Sequence, residues 1–181
     1  VTSSTTAVAA GGAIDLNAGN DLVVTGPATA PFTTVSSSTS GAGAAGAVTL
    51  TAGSAATFTN ARVRSNTTGA GAGGIVTATT GTTGDADLTS TTVRSDTTGG
   101  GAAGQLSLTG ATLDATGSTI TTTTTAVGDA GLIDLNNAAI LDSTNVVSST
   151  TGAGATGAVD IDGAAITLRD GTVVSTLTTG T

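Results

Sequence analysis

The chain has 181 residues and a formal charge of −8, from 12 Asp against Arg62, Arg64, Arg94 and Arg169, with no Lys, Glu, His, Cys, Met, Trp or Tyr. That acidity argues against nucleic acid or an anionic membrane surface as a partner, and the missing types are those that a conventional core or active site uses. Thr, Gly, Ala and Ser make up well over half of the chain, yet 38% hydrophobic residues and a mean hydropathy of +0.32 are too apolar for a chain held unfolded by low hydrophobicity.

Order is therefore expected from regular stacking, and the sequence repeats accordingly. A glycine immediately precedes each short x-apolar-x-apolar strand, at Gly12, Gly46, Gly74, Gly104, Gly131 and Gly157, with spacings of 34, 28, 30, 27 and 26. Eleven residues before each of these anchors stands a β-branched residue: Val1, Val35, Val63, Val93, Ile120 and Val146. The segment between them is Ser/Thr-rich and ends in a glycine corner, as in Val63-Arg64-Ser65-Asn66-Thr67-Thr68-Gly69. This half of the unit has a constant length, whereas the other half varies. Self-similarity at such a period marks a repeat architecture.

After each anchor the strand alternates, with Ile14/Leu16, Val48/Leu50, Val76/Ala78, Leu106/Leu108, Ile133/Leu135 and Val159/Ile161 facing inward. A second apolar pair is predicted at Leu22/Val24, Ala56/Phe58, Ala86/Leu88, Ala111/Leu113, Ala138/Ile140 and Ala164/Ile166, and the β-branched residue then opens a third strand. Three short strands cannot bury their apolar side within one unit. The expected fold is all-β: a right-handed parallel β-helix over residues 1–181, of about six coils of 26–34 residues with three short strands each. Corner glycines are expected because the backbone turns tightly and glycine alone reaches positive φ freely. Gly26-Pro27-Ala28-Thr29-Ala30-Pro31-Phe32 reads as a loop bulging from the coil, since two prolines cannot donate to a ladder, with Phe32 folding back over an edge. Ile120 to Thr125 shares the phase of Val63 to Thr68, so its threonines are strand residues.

Both termini fall in the third-strand phase and neither carries a polar cap, which points to further coils or to copies stacked head to tail. The sequence opens without Met or a signal peptide, as a mature product or an excised segment would. No apolar run approaches the ~18 residues of a membrane helix, and no membrane insertion is expected.

Gly41-x-Gly43-x-x-Gly46 and its copies match a dinucleotide-binding fingerprint letter for letter, but they lead into a strand rather than a helix, so solenoid corners are expected in place of a phosphate site. One outward column reads Asp15, Thr49, Thr77, Ser107, Asp134, Asp160. Asp134 and Asp160 should lie one coil apart, as two solvated carboxylates or as a pair relieved by a bound cation such as Ca²⁺. Asp85, Asp87 and Asp129 read as turn residues. Arg64 and Arg94 occupy equivalent phases beside Asn66 and Asp96, the kind of basic-acidic pairing that Ca²⁺-dependent polysaccharide lyases use, without the long loops those enzymes need. Ser65/Thr67, Ser95/Thr97, Thr121/Thr123 and Ser148/Thr150 suggest a hydroxyl face able to order water or bind glycans, or ladders that only stabilise the stack. Asn66-Thr67-Thr68 is a single glycosylation sequon.

The phrase Thr-Thr-Gly-x-Gly-x-x-Gly-x-Val/Leu-x-Leu/Ile, seen from Thr150 to Ile161, with Ala165-Ile166-Thr167-Leu168-Arg169-Asp170-Gly171, resembles the repeat region of filamentous-haemagglutinin-like exoproteins and large bacterial surface adhesins. The resemblance implies a secreted, cell-surface β-helical shaft used in adhesion or biofilm. The chain departs from that pattern by placing Ala or Thr where an Asn ladder usually stands. A non-enzymatic extracellular shaft or filament segment, without cofactor, is the leading expectation, with self and surface glycans as partners. An ice-binding or glycan-binding solenoid is the alternative, and a Ca²⁺-dependent lyase the remote one.

Overall fold

The computed structural model describes residues 1–6 and 8–180. Among them are 17 strands and no helix. In chain order these are β1 (Thr2–Thr5), β2 (Ile14–Ala18), β3 (Leu22–Thr25), β4 (Thr33–Thr39), β5 (Val48–Ala52), β6 (Ala56–Thr59), β7 (Ala61–Thr67), β8 (Val76–Thr79) and β9 (Asp85–Thr89). They continue as β10 (Thr92–Thr97), β11 (Leu106–Thr116), β12 (Thr119–Thr124), β13 (Ile133–Asp142), β14 (Asn145–Thr150), β15 (Val159–Asp162), β16 (Ile166–Arg169) and β17 (Val173–Thr178).

Every strand pairs in parallel with its equivalent one coil away. The third strands form a seven-stranded sheet in the order β1-β4-β7-β10-β12-β14-β17, and the first and second strands together form a ten-stranded sheet. Val63 lies in register with Val35 and Val93, and Val93 with Ile120, so the β-branched column of the sequence is a physical column. The chain is a β-solenoid. Its axis is filled by Val, Ile and Leu from both sheets, among them Val48, Val63, Val76, Leu106, Ile120 and Ile133, all essentially inaccessible. At about 1.5–3 kcal/mol for each large apolar side chain removed from water, these columns are the main force holding coil on coil.

The first and second strands are less separate than expected. β11 and β13 each run through both phases, and their shared ladder shifts register between Thr109 and Thr112. The turn that interrupts the earlier coils is absorbed there as a bulge, which resets which residues face inward. The second inward pairs are therefore Leu113/Ala115, Ala139/Leu141 and Ile166/Leu168, not Ala111/Leu113, Ala138/Ile140 and Ala164/Ile166. Ile140 is 37% exposed while Leu141 is fully buried.

The corner glycines also have a different cause. No glycine of the anchor column has a positive φ; a Cβ on Gly74 or Gly104 would instead overlap the backbone carbonyl of the anchor one coil below, Gly46 or Gly74 respectively. Close coil-to-coil approach excludes the side chain. The left-handed corner lies elsewhere, between second and third strands, where Asn60, Ser90, Gly117 and Ser143 have φ of 50°, 48°, 58° and 50°. These residues stack, each two places before the aligned positions Arg62, Thr92, Thr119 and Asn145. Asn and Ser hold a conformation that costs them little only because their short polar side chains suit turns.

The constant half-unit has a mechanical explanation. Ser65 Oγ donates to the Gly46 carbonyl at 2.8 Å and accepts the Gly74 N–H at 3.0 Å. Ser37 bridges Gly12 and Gly46, and Ser95 bridges Gly74 and Gly104, in the same way. Each serine stands nine residues before the glycine whose N–H it accepts, so an insertion in that arc would break the bridge. Loop length elsewhere meets no such constraint: the proline-bearing segment between β3 and β4 is accommodated as an excursion, and the Arg62 guanidinium lies 4.3 Å from the centre of the Phe32 ring at its end.

Candidate functional site

Parity in the seven-stranded sheet decides what the surface offers. With Val63, Val93, Ile120 and Val146 inward, the residues two and four places on are inward too. Ser65, Ser95, Thr122 and Ser148 are completely buried, as are Thr67, Thr97, Thr124 and Thr150 to within 1%. The expected outward face of Ser65/Thr67, Ser95/Thr97 and Ser148/Thr150 is thus an interior one, and only Thr121 and Thr123 of that set face out. The rule that a β-branched residue opens the strand inward already carried this answer. Thr67 Oγ1 donates to Ala72 O at 2.8 Å and accepts the Ala45 N–H at 3.1 Å, while Thr68, the hydroxyl residue of the sequon, is exposed.

The interior offers no ligand space. The void between the two sheets, walled by Leu50, Phe58, Val63, Val76, Leu88 and Leu108, measures about 10 Å³ and is apolar throughout, at the lower limit for one water molecule.

Three outward arrangements remain. The first is a hydroxyl lattice that pattern reading passed over: Thr49, Thr77 and Ser107 stand in register, and so do Thr51, Thr79 and Thr109. All six are half-buried. Successive rungs lie ~4.8 Å apart and alternate residues along a strand ~6.7 Å apart, which makes a nearly rectangular array. Asp15 and Asn17 continue these columns on one side, and Asp134/Asn136 with Asp160/Asp162 on the other.

The expected pair Asp134 and Asp160 is in register, one rung apart and outward. Among the described residues no group of three or more His, Cys, Asp or Glu is placed to hold a metal ion. A denser acid cluster occurs on the second strands. Asp85 and Asp87 belong to β9, not to turns, and Asp114 of β11 lies in register with Asp87. Thr112 Oγ1 donates to Asp85 Oδ1 at 2.5 Å. Burial, then Asp114, then Asp85 raise the Asp87 carboxyl above its ordinary 3.8. Asp129 does lie outside the strands, where its Oδ1 accepts the Ala155 N–H at 2.7 Å.

The third arrangement is basic. Arg64 and Arg94 are in register on β7 and β10, as their phases required. Arg64 Nε donates to Ser36 Oγ at 3.1 Å, Arg94 is ion-paired with Asp96, and Arg62 completes the group two residues before Arg64. These partners come from the same sheet, where an open depression of about 290 Å³ is lined by Ser38, Ser40, Arg64, Asn66 and Thr68.

No family model, no curated protein and no solved structure matches this chain.

Proposed function

We propose that the chain is a structural element, a stiff segment of an extracellular shaft or fibre of the kind its repeat phrases resemble. One observation carries this reading: the third-strand sheet runs without interruption from β1 to β17, and every strand of the described residues is committed to coil-on-coil pairing. Parallel ladders with short turns resist bending and leave proteases little mobile backbone to engage. The last coil presents Ile166, Leu168 and Val174 at 46%, 51% and 38% exposure, a surface on which a further coil, from the same chain or from a second copy, can be laid in phase. Surface attachment and export follow from the resemblance and belong to the same proposal. Negative-stain electron microscopy of the purified chain tests it: short rods, or filaments built end to end, are expected. Round particles that a protease digests rapidly would refute the reading.

The Thr49/Thr51, Thr77/Thr79, Ser107/Thr109 array supports a second reading, a face that orders water or a regular glycan surface. Ice-crystal shaping by the chain, abolished by Thr79→Tyr in the middle of the array, would favour it over the shaft.

A further inference from the structure

The charges of this chain are sorted by face. Three of its four arginines, Arg62, Arg64 and Arg94, lie outward on the seven-stranded sheet, whose strands carry only one acid, Asp96. Eight of the twelve aspartates lie on strands of the ten-stranded sheet, and the one arginine there, Arg169, is on the last rung in register with Asp142. The dry core stands between the two faces, so neither can neutralise the other within one molecule.

The two clusters share a layout. Arg62 and Arg64 are two residues apart on one strand, with Arg94 beside Arg64 on the next rung. Asp85 and Asp87 are two residues apart on one strand, with Asp114 beside Asp87 on the next rung. Each group therefore spans ~6.7 Å along the strand and ~4.8 Å along the axis. In chain order β9 falls between β7 and β10, and the acid part of β11 between β10 and β12, so the clusters stand within one coil of each other in height. Higher on the stack the seven-stranded face turns apolar, with Val147, Val173 and Leu177 outward, while the ten-stranded face carries Ile140 beside Asp142.

We propose that this chain associates side by side with a second copy, axes parallel and nearly level, the Arg62–Arg64–Arg94 face of one molecule against the Asp85–Asp87–Asp114 face of the next. The occupant is a second copy because the molecule itself carries the opposite charge at a comparable height; with axes parallel the facing strands run in opposite directions, so Arg62 meets Asp87 and Arg64 meets Asp85, with Arg94 and Asp114 diagonal on the next rung. An arginine brought to Asp87 also relieves the crowding that raises its carboxyl. The contact is heterologous, so it does not close at two and extends into lateral bundles. It stands on the charge distribution alone, and its failure would leave the shaft reading in place.

The net charge of −8 opposes approach at long range while the face contacts favour it at short range. Salt should therefore act in two directions. At about 0.01 M the Debye length of ~30 Å lets whole-molecule repulsion act; at about 0.1 M, ~10 Å, the contact pairs dominate; at about 1 M, ~3 Å, they too are screened. Sedimentation velocity across that range should show association strongest near the middle. Arg64→Glu with Arg94→Glu should weaken it at least about tenfold, and Asp87→Arg with Asp114→Arg likewise, with the circular dichroism spectrum retained in both. Mixing the two double variants should restore large species, since each then meets its complement; a folding defect would not be rescued. A chain that stays monomeric at every salt concentration, that associates regardless of the arginine substitutions, or that binds a polyanion such as polygalacturonate through these arginines without self-associating overturns the proposal.

Discussion

The Gly74 N–H donates to Ser65 Oγ at 3.0 Å while that hydroxyl donates to the Gly46 carbonyl at 2.8 Å, so one side chain fastens two successive anchor glycines. Removing it strands a donor and an acceptor in a dry interior. Ser65→Ala should cost about 1–3 kcal/mol, the penalty for unsatisfied buried groups. Ser65→Thr should be tolerated, because Thr122 occupies the same column and its Oγ1 donates to Gly131 O at 2.8 Å. Urea unfolding of the two variants checks this: equal midpoints would show that the bridge contributes nothing.

The glycine columns give an independent measure of coil spacing. A Cβ at Gly104 would overlap the carbonyl of Gly74, whereas one at Gly19 would meet nothing within 4 Å. Gly104→Ala should cost about 3 kcal/mol, near the top of the usual range for forced overpacking, and Gly19→Ala should stay within about 0.5 kcal/mol of the parent. A thermal melt of both separates this account from one based on glycine's backbone freedom, under which neither residue, lacking a positive φ, has reason to resist alanine.

How much was legible follows from these residues. The solenoid and its first and third inward columns could be read directly because Val63, Val93, Ile120 and their anchors recur at a constant separation that a hydroxyl bridge enforces. The second column was legible only as far as Leu88, since past it the turn becomes a bulge and parity is set by strand pairing, which letters alone do not show. The hydroxyls of Ser65 and Thr67 admitted two readings, a water-ordering face or ladders that stabilise the stack, and the second holds: their hydrogen bonds are met by backbone inside. Asp134 and Asp160 were correctly placed in register, but no spacing rule reveals whether a cation sits between them. The sorting of charge between faces depends on which rungs become neighbours, and emerges only once the coils are stacked.

The shifted parity of the fifth coil yields a discriminating pair. Leu141 is buried and Ile140 projects outward. Leu141→Ala should cost about 2–5 kcal/mol, the range for a leucine truncated in a close-packed core, and Ile140→Thr should change stability by less than about 0.5 kcal/mol. The alternation read from the anchor alone predicts the reverse order, so a single denaturation series on these two variants decides the register of β13.

Asp87 should make the fold more stable in acid than its composition suggests. Burial and its neighbours Asp114 and Asp85 raise its carboxyl above the ordinary 3.8, so between that value and the raised one the folded chain binds more protons than the unfolded chain. Stability from this group is then fully present below the unfolded value and is lost as pH climbs through the folded one. At about pH 7 the ionised carboxylate is a net burden, and Asp87→Asn, which keeps the shape without the charge, should raise Tm there. The advantage should shrink toward zero near about pH 3, where the native carboxyl is already protonated. Differential scanning calorimetry of the parent and variant at the two pH values measures the difference. A variant less stable than the parent at neutral pH would mean that the Asp87 charge is held by a favourable partner, and the crowding of the Asp85–Asp87–Asp114 cluster would no longer describe that face.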